Sequence, residues 1–340
     1  YYLCSIKFFA DMVTLDVIRR PVEEHIAGFE AFVERQFTAE GELLSEMLKY
    51  ALSSRGKGIR PMLVMLSALL NSASIGAKVG QRSYVAAMLV EMIHVASLIH
   101  DDVIDEADQR RGKPSLNALW QSRNAVIVGD YILSKNMSIG MQSGQFDLVG
   151  HVTSAMSTLC EGEILQSDCT KRQSTNRKSY FDIIHRKTAS LLSVSASVGA
   201  LSVGAKGESV ELMAHFGELI GMAFQIQDDI LDYTPSAKTG KPALNDLREG
   251  KITLPLISVL ERSTEERREE LLKRLEKCRD DEEQREYMRL VVEQCGGIDE
   301  AVRVMDEYVN RALSLLMKYP KSEARDSLEQ LCYYISKRDR

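Results

Sequence analysis

Two short aspartate runs carry the strongest chemical signal in this 340-residue chain. HDDVID at 100–105 returns as QDDILD at 227–232, which sets Asp101 and Asp228 127 residues apart. Each run closes an apolar stretch, HVASLIH before the first and GMAFQIQ before the second. Residues four apart share a helix face, so Asp101 pairs with Asp105 and Asp228 with Asp232. Asp102 and Asp229 lie about 100° round on a helix of ~3.6 residues per turn, where they suit hydrogen-bonded support better than the main metal bond. Facing acid clusters repel unless cations lie between them. Oxygen-only donors select a hard cation such as Mg²⁺, which usually completes its octahedron with substrate phosphates. A single such motif reads equally well as a surface or capping cluster; two copies, both on apolar helices, do not.

Basic residues complement the acids. RGKGIRP at 55–61 puts Lys57 and Arg60 in a Gly-rich loop at a helix start, where free backbone N–H groups and cations make a diphosphate cradle. Arg110 and Arg111 follow Asp105 by five and six residues, in a loop able to fold back over the same cavity. Lys187, Lys241 and Lys251 are further candidates, marked by their place in loops near the acids rather than by charge alone. Three polar residues interrupt apolar helical runs: His94, on a face with Val90, Ile93 and Ser97; Gln225, in AFQIQDD; and Thr188. Each has a plain structural alternative as core histidine, buried amide or back-bonding threonine. No nucleophile or general base of the hydrolase type is evident.

The elements that must position these groups read as helices throughout. Residues 82–106 contain no Pro or Gly and are mostly apolar, as in a helix buried on nearly all sides. AFVERQFTAEGELLSEMLKYAL, at 31–52, reads as one amphipathic segment, and the charge-dense stretch 261–289 as a solvated helical hairpin. RRGKP at 110–114 and the run 234–246 read as loops. No linker divides the chain and no alternating strands appear. The expectation is an all-α fold: one large helical bundle with a central cavity spanning 1–340, with an N-terminal helical segment over 1–40 and charged helices over 261–340.

Composition sets the outer bounds. Lys+Arg 43 against Asp+Glu 49 gives a net charge of −6, which argues against a protein that coats nucleic acid. Six scattered cysteines without a C-x-x-C pair fit a reducing cytoplasm. The first residues lack a basic n-region and an unbroken apolar h-region, so no signal peptide is expected. The uncharged stretches 61–77 and 188–205 are at or below spanning length, and the second carries five serines after Thr188, so no transmembrane segment is expected.

GKGIRP, EMIHVASLIHDDVIDEADQRRGKP, GDYIL, EGEILQ, HRKTASL, FQIQDDILDY and GKITLPL together resemble the trans-polyprenyl diphosphate synthase family in its long-chain branch. The likeness runs in order from about Lys49 to about Leu260. Where that family usually shows Gly-Gly-Lys-Arg, this chain has Arg55, Gly56, Lys57 and Gly58. The resemblance implies an isoprenoid-synthase-like bundle that condenses isopentenyl diphosphate with an allylic diphosphate, with Mg²⁺, as a homodimer in the cytoplasm. It places Lys57, Arg60, His94 and Arg111 on the isopentenyl diphosphate. Arg110, Lys187, Thr188, Gln225, Lys241 and Lys251 fall around the allylic diphosphate. Asp101, Asp105 and Asp228 become the Mg²⁺ ligands, with Asp102 and Asp229 beside them. Relatives making short products carry an aromatic just before the first motif. Here no aromatic occurs between Tyr84 and Asp105, so a chain growing past Ala96, Ser97, Ile93, Val90 and Ala86 should exceed geranylgeranyl length. Met137 and Met141 could floor the channel or simply pack the core. Three other readings stay open: a class I terpene cyclase, a non-catalytic subunit of a heteromeric synthase, and a purely structural helical protein. The cyclase has no use for a second diphosphate site, and the non-catalytic subunit should have lost aspartates that this chain keeps.

Overall fold

The computed structural model describes residues 14–53, 56–235 and 243–337, and these are helical almost throughout. The chain runs α1 (Leu15–Arg19), α2 (Glu23–Gln36), α3 (Glu42–Ser53), α4 (Ile59–Ile75) and α5 (Gln81–Ile104). A small hairpin, β1 (Gln109–Arg110) and β2 (Lys113–Pro114), precedes α6 (Leu116–Gln142), α7 (Phe146–Lys171) and α8 (Arg177–Ile184). A π turn over His185–Ala189 leads into α9 (Ser190–Ser202) and α10 (Glu208–Tyr233). The short α11 (Asn245–Arg248) is followed by α12 (Leu254–Arg262), α13 (Glu265–Lys277), α14 (Glu282–Gln294), α15 (Gly297–Leu316) and α16 (Glu323–Lys337).

The uncharged stretches form the middle of the bundle. α4 and α9 pack together where a Cβ on Gly199 would lie 2.4 Å from the Val64 carbonyl oxygen, and Ser67 donates to the Ala196 carbonyl at 2.6 Å. α9 meets α10 the same way: a Cβ on Gly217 would stand 2.3 Å from the Leu192 oxygen. Close backbone approach requires small side chains, which is why this stretch is rich in Ser, Ala and Gly. Its serines are satisfied; Ser195 donates to the Leu191 carbonyl at 2.6 Å and Ser193 to that of Ala214 at 2.8 Å. α5 is long and apolar enough to cross a membrane by composition alone, but it runs through the protein core, with residues from Ser83 to Ile99 largely buried.

Two local expectations are corrected. The segment 31–52 is not one helix: it breaks over 37–41, where Phe37 turns into the core and Gly41 adopts φ +93°. RRGKP is not an irregular loop but a two-residue hairpin. Arg110 pairs with Lys113 across a turn in which Arg111 (φ 54°) and Gly112 (φ 75°) are both left-handed, the backbone such tight turns require. α6 is kinked at Trp120 and Gln121, the latter at φ 67° and ψ 151°. The charged hairpin α13–α14 stands as read, with Leu271, Leu275, Met288 and Val292 buried under its ionic surface.

Candidate active site

The ends of α5 and α10 deliver the two aspartate motifs, and in the first of them Asp101 shares a face with Asp105. Asp101 and Asp105 line one cleft of about 1020 Å³ with Glu163, Lys187, Arg248 and Lys251. Asp102, a hundred degrees round, is buried and accepts a 2.6 Å bond from Arg110 Nε. In the second motif Asp229 is the supported carboxylate: Tyr180 donates to Oδ2 at 2.6 Å and Gln225 Nε2 to Oδ1 at 2.9 Å. Asp228 is part-exposed, while buried Asp232 accepts the Asp246 backbone N–H at 2.9 Å and so docks the segment that leads into α11.

Burial raises three carboxyl groups at the two motifs and beside them. Burial, with Glu163 and Asp105 adding to it, pushes Asp101 up to about 6, against the opposing pull of Lys187 and Arg110. Burial and Asp232 push Asp246 up to about 7. Burial and Asp246 also raise Asp229, despite its bonds from Tyr180 and Gln225. Carboxyl groups raised in this way gain from a bound dication, which favours the ionised form. Among the described residues no three His, Cys, Asp or Glu side chains enclose a metal by themselves. The candidate donors are two carboxylates at one helix end, Asp101 and Asp105, and Asp228 near the end of the other. They fit a hard cation that draws the rest of its shell from water and substrate oxygens.

On one side of this cleft α7 and the π turn press together, since a Cβ on Gly162 would lie 2.8 Å from the Lys187 backbone nitrogen. The extra residue of a π turn redirects side chains. Lys187 Nζ donates to Glu163 (2.8 Å) and Gln166 (2.9 Å), and Thr188 donates to Gln225 Oε1 at 2.8 Å. Thr188 is therefore not back-bonded to its own helix. Lys251 pairs with Glu249 at 2.5 Å. Burial alone would lower Lys251, but Glu249, Asp246 and Asp105 together raise it.

On the other side lies a pocket of about 50 Å³ lined by Glu91, His94, Asp102, Arg110, Arg111 and Gly56, among others. Burial, then the guanidinium groups of Arg60, Arg111 and Arg110, hold His94 well below its ordinary range. It is thus a neutral imidazole in a cationic pocket and not an isolated core histidine. Burial likewise lowers Arg60 and Arg111, with Glu91 pulling each of them back up. A Cβ on Gly56 would sit 2.5 Å from an Arg111 Nη, so glycine is what lets that guanidinium cross the loop. Lys57 points elsewhere: its Nζ donates to Tyr334 Oη at 3.0 Å on α16.

The remaining candidates divide. Lys241 falls outside the described residues. Ala96 and Ile93 are fully buried, Ser97 is part-exposed one turn before Asp101, and Met137 packs against the core while Met141 is half-exposed. Glu91, Glu163, Gln166, Tyr180 and Asp246 were not singled out by sequence. Glu91 opens EMIHVASL, Glu163 and Gln166 lie in EGEILQ and Asp246 closes the turn-rich run after the second motif, so only Tyr180 had no positional signal.

The sequence profile of the polyprenyl synthetase family matches residues 41–294. Heptaprenyl diphosphate synthase component 2 of Geobacillus stearothermophilus is 34% identical over 319 residues, covering 94% of this chain and 97% of that protein. Among solved structures, a decaprenyl diphosphate synthase from Rhodobacter capsulatus superposes with a TM-score of 0.88 at 31% identity, covering 96% and 100% of the two chains. A polyprenyl synthase from Caulobacter crescentus CB15, complexed with calcium and isoprenyl diphosphate, gives 0.87 at 28% identity, covering 96% and 99%.

Proposed function

The chain belongs to the polyprenyl synthetase family, and from that membership we propose that it condenses isopentenyl diphosphate with an allylic diphosphate to make a long-chain all-trans polyprenyl diphosphate. It is a prenyltransferase, a transferase of alkyl groups. The observation that carries the reading is the pairing of two anion sites on either side of Asp102–Arg110. One is the carboxylate- and lysine-lined cleft, the other the arginine pocket around His94. A cyclase, which ionises one substrate, leaves the second pocket without a role.

Asp101, Asp105 and Asp228 would hold Mg²⁺, which when bound supplies charge neutralisation at the leaving diphosphate. Arg110, Lys187 and Lys251, with Lys241, hold the allylic diphosphate so that its C1–O bond can break with the electron pair passing to the diphosphate. Thr188 and Gln225 set hydroxyl and amide dipoles beside the allylic cation. Arg60, His94 and Arg111 orient isopentenyl diphosphate, with Lys57 reached by release from Tyr334. Its alkene attacks the allylic carbon, forming the new C–C bond. A proton then passes to the departing pyrophosphate, which restores a double bond. The protein's contribution is positioning and exclusion of water.

The same reading makes residues 1–340 one prenyl-transfer unit acting in the cytoplasm as a homodimer. Support for a second copy is the unpartnered apolar stripe on α6, where Leu119, Val126, Ile127 and Met141 are exposed. The test is incubation with labelled isopentenyl diphosphate, farnesyl or geranylgeranyl diphosphate and Mg²⁺, followed by product sizing. Absence of any elongated product with either primer would refute it.

A further inference from the structure

The turn joining α13 to α14 reaches the mouth of the large cleft. Arg279 and Asp280 line the same space as Asp101, Asp105 and Lys187, although they belong to the hairpin that sequence presents as a solvated accessory. The backbone of this turn is locked. Arg285 Nη1 donates to the carbonyl oxygens of Cys278 at 2.6 Å and Arg279 at 3.2 Å. Cys278 is fully buried, and Asp281 caps α14 by accepting the N–H groups of Glu283 and Gln284. Arg279 is exposed, but its backbone is held in place by a second arginine.

The cations of the cleft fall into two sets. Arg110, Lys187 and Lys251 are each engaged by a carboxylate, respectively Asp102, Glu163 and Glu249. Arg248, at the end of α11, Arg279 and Lys171 make no side-chain hydrogen bond or ion pair among the described residues. Within the hairpin, Arg267 and Arg274 are tied to Glu270, and Arg289 to Glu286 and Glu293. Arg279 is thus presented to the cleft instead of to that surface lattice. A guanidinium matches two phosphate oxygens at once, which a lysine ammonium does not.

We propose that Arg279, with Arg248 lining the same cleft, forms the outer wall of the diphosphate site and binds the phosphoryl end of the allylic diphosphate and the pyrophosphate released from it. The proposal rests on the prenyl-transfer reading of the cleft and adds no covalent step. The anion that leaves C1 meets these guanidinium groups on its way to solvent. Asp280, in the same lining, sets a like charge against that anion and limits how tightly it is held.

The test is calorimetric titration of inorganic pyrophosphate with Mg²⁺ into the full chain, alongside KM for both substrates. Arg279→Ala should weaken pyrophosphate binding and raise KM for the allylic diphosphate by about five- to tenfold, as for loss of one charge-assisted contact. KM for isopentenyl diphosphate should stay unchanged. Arg279→Lys should keep part of the affinity. Arg285→Ala, which leaves the guanidinium but frees its turn, should give a smaller loss in the same direction. Unchanged pyrophosphate affinity in Arg279→Ala overturns the proposal, as does an equal rise in both KM values. A wild-type chain that binds pyrophosphate but transfers no prenyl group would sink the prenyl-transfer reading, and the calorimetric comparison alone would then decide the role of Arg279.

Discussion

Tyr180 holds Asp229: a phenol from α8 donates at 2.6 Å to a carboxylate of the second aspartate motif on α10, both groups buried. Burial and Asp246 raise the carboxyl, and the two hydrogen bonds from Tyr180 and Gln225 oppose that rise. Tyr180→Phe keeps the ring and removes one bond. It should cost about 1–3 kcal/mol of stability, the usual penalty for a buried polar group losing its partner. It should also raise the Mg²⁺ concentration needed for half-maximal turnover, because Asp229 becomes harder to ionise beside Asp228. Thermal melts and Mg²⁺ titrations of the variant check both. An unchanged Mg²⁺ requirement would make Tyr180 a packing residue only.

The metal-facing carboxylates should trade activity against stability. Asp101 rises from 3.8 to about 6 in the folded chain, so between these values the folded state holds a proton that the unfolded state has released. Its favourable contribution is complete below pH 3.8 and is lost as pH rises through about 6. Asp101→Asn should therefore stabilise the metal-free protein at pH 7, by on the order of 1–2 kcal/mol after solvent screening, and change little at pH 3.5. Asp101→Ala and Asp228→Ala should remain folded while turnover falls at least on the order of 10²–10³-fold, as for other losses of leaving-group stabilisation. Near-normal turnover in both would end the metal assignment.

How much of this was legible in the sequence depends on how far apart the partners lie. The face-sharing of Asp101 with Asp105, and the supporting place of Asp102 and Asp229, follow from helix periodicity and stand in the structure. So does the close packing of the serine-rich stretch 188–205, since small residues at helical spacing have that consequence in any core. The break at 37–41 did not show, because helix-forming residues on both sides outweigh the single local signal of Gly41, and the burial of Phe37 is a tertiary contact. Lys57 is diverted by Tyr334, 277 positions away, and Lys187 is braced by Glu163 and Gln166 from α7. Such contacts are tertiary and leave no local trace. The hairpin 109–114 carried a readable signal, Gly112 after Arg111, but with strands of two residues each its periodicity was too short to register.

His94 offers a pH test of the arginine pocket. Burial and three arginines hold its folded pKa well below 6.5, so the unfolded chain accepts a proton that the pocket refuses. The stability tied to neutral His94 is present above pH 6.5 and is lost as pH falls below it. The loss approaches about 1.4 kcal/mol per pH unit for one full proton. The difference in stability between wild type and His94→Gln, followed by denaturant melts from pH 7.5 to pH 5, should shrink or reverse on acidification. His94→Ala and Arg60→Ala should raise KM for isopentenyl diphosphate more than for the allylic primer, and Arg110→Ala the reverse. A stability change with both KM values intact would return His94 to the core.

Product length is the most structural of the predictions. One helical turn advances ~5.4 Å, close to one extended isoprene unit, so a tail growing back from Asp101 along α5 passes roughly one unit per turn. Two positions come first on that path, and the structure separates them. Leu89 and His100 both meet α6, where a Cβ on Gly140 would lie 3.0 Å from Leu89 and one on Gly129 would lie 2.3 Å from His100. Ala96 belongs to the stripe of α5 that contains those two residues, and it is fully buried. Ser97 is part-exposed, and its hydroxyl is spent on the His94 carbonyl at 3.0 Å. Phenylalanine at 96 must therefore push α6 away, at about 1–3 kcal/mol for overpacking, whereas at 97 it has room to enter the tail's path. Ser97→Phe should keep the first condensation and its rate while cutting the main product to a short prenyl diphosphate. Ala96→Phe should lower the melting temperature as well as shorten the product. Chromatographic sizing of labelled products from wild type and both variants checks this. A wild type that stops at farnesyl or geranylgeranyl diphosphate would show that something other than an aromatic before Asp101 closes the channel. Full-length product from Ser97→Phe would place the growing tail on another face of α5.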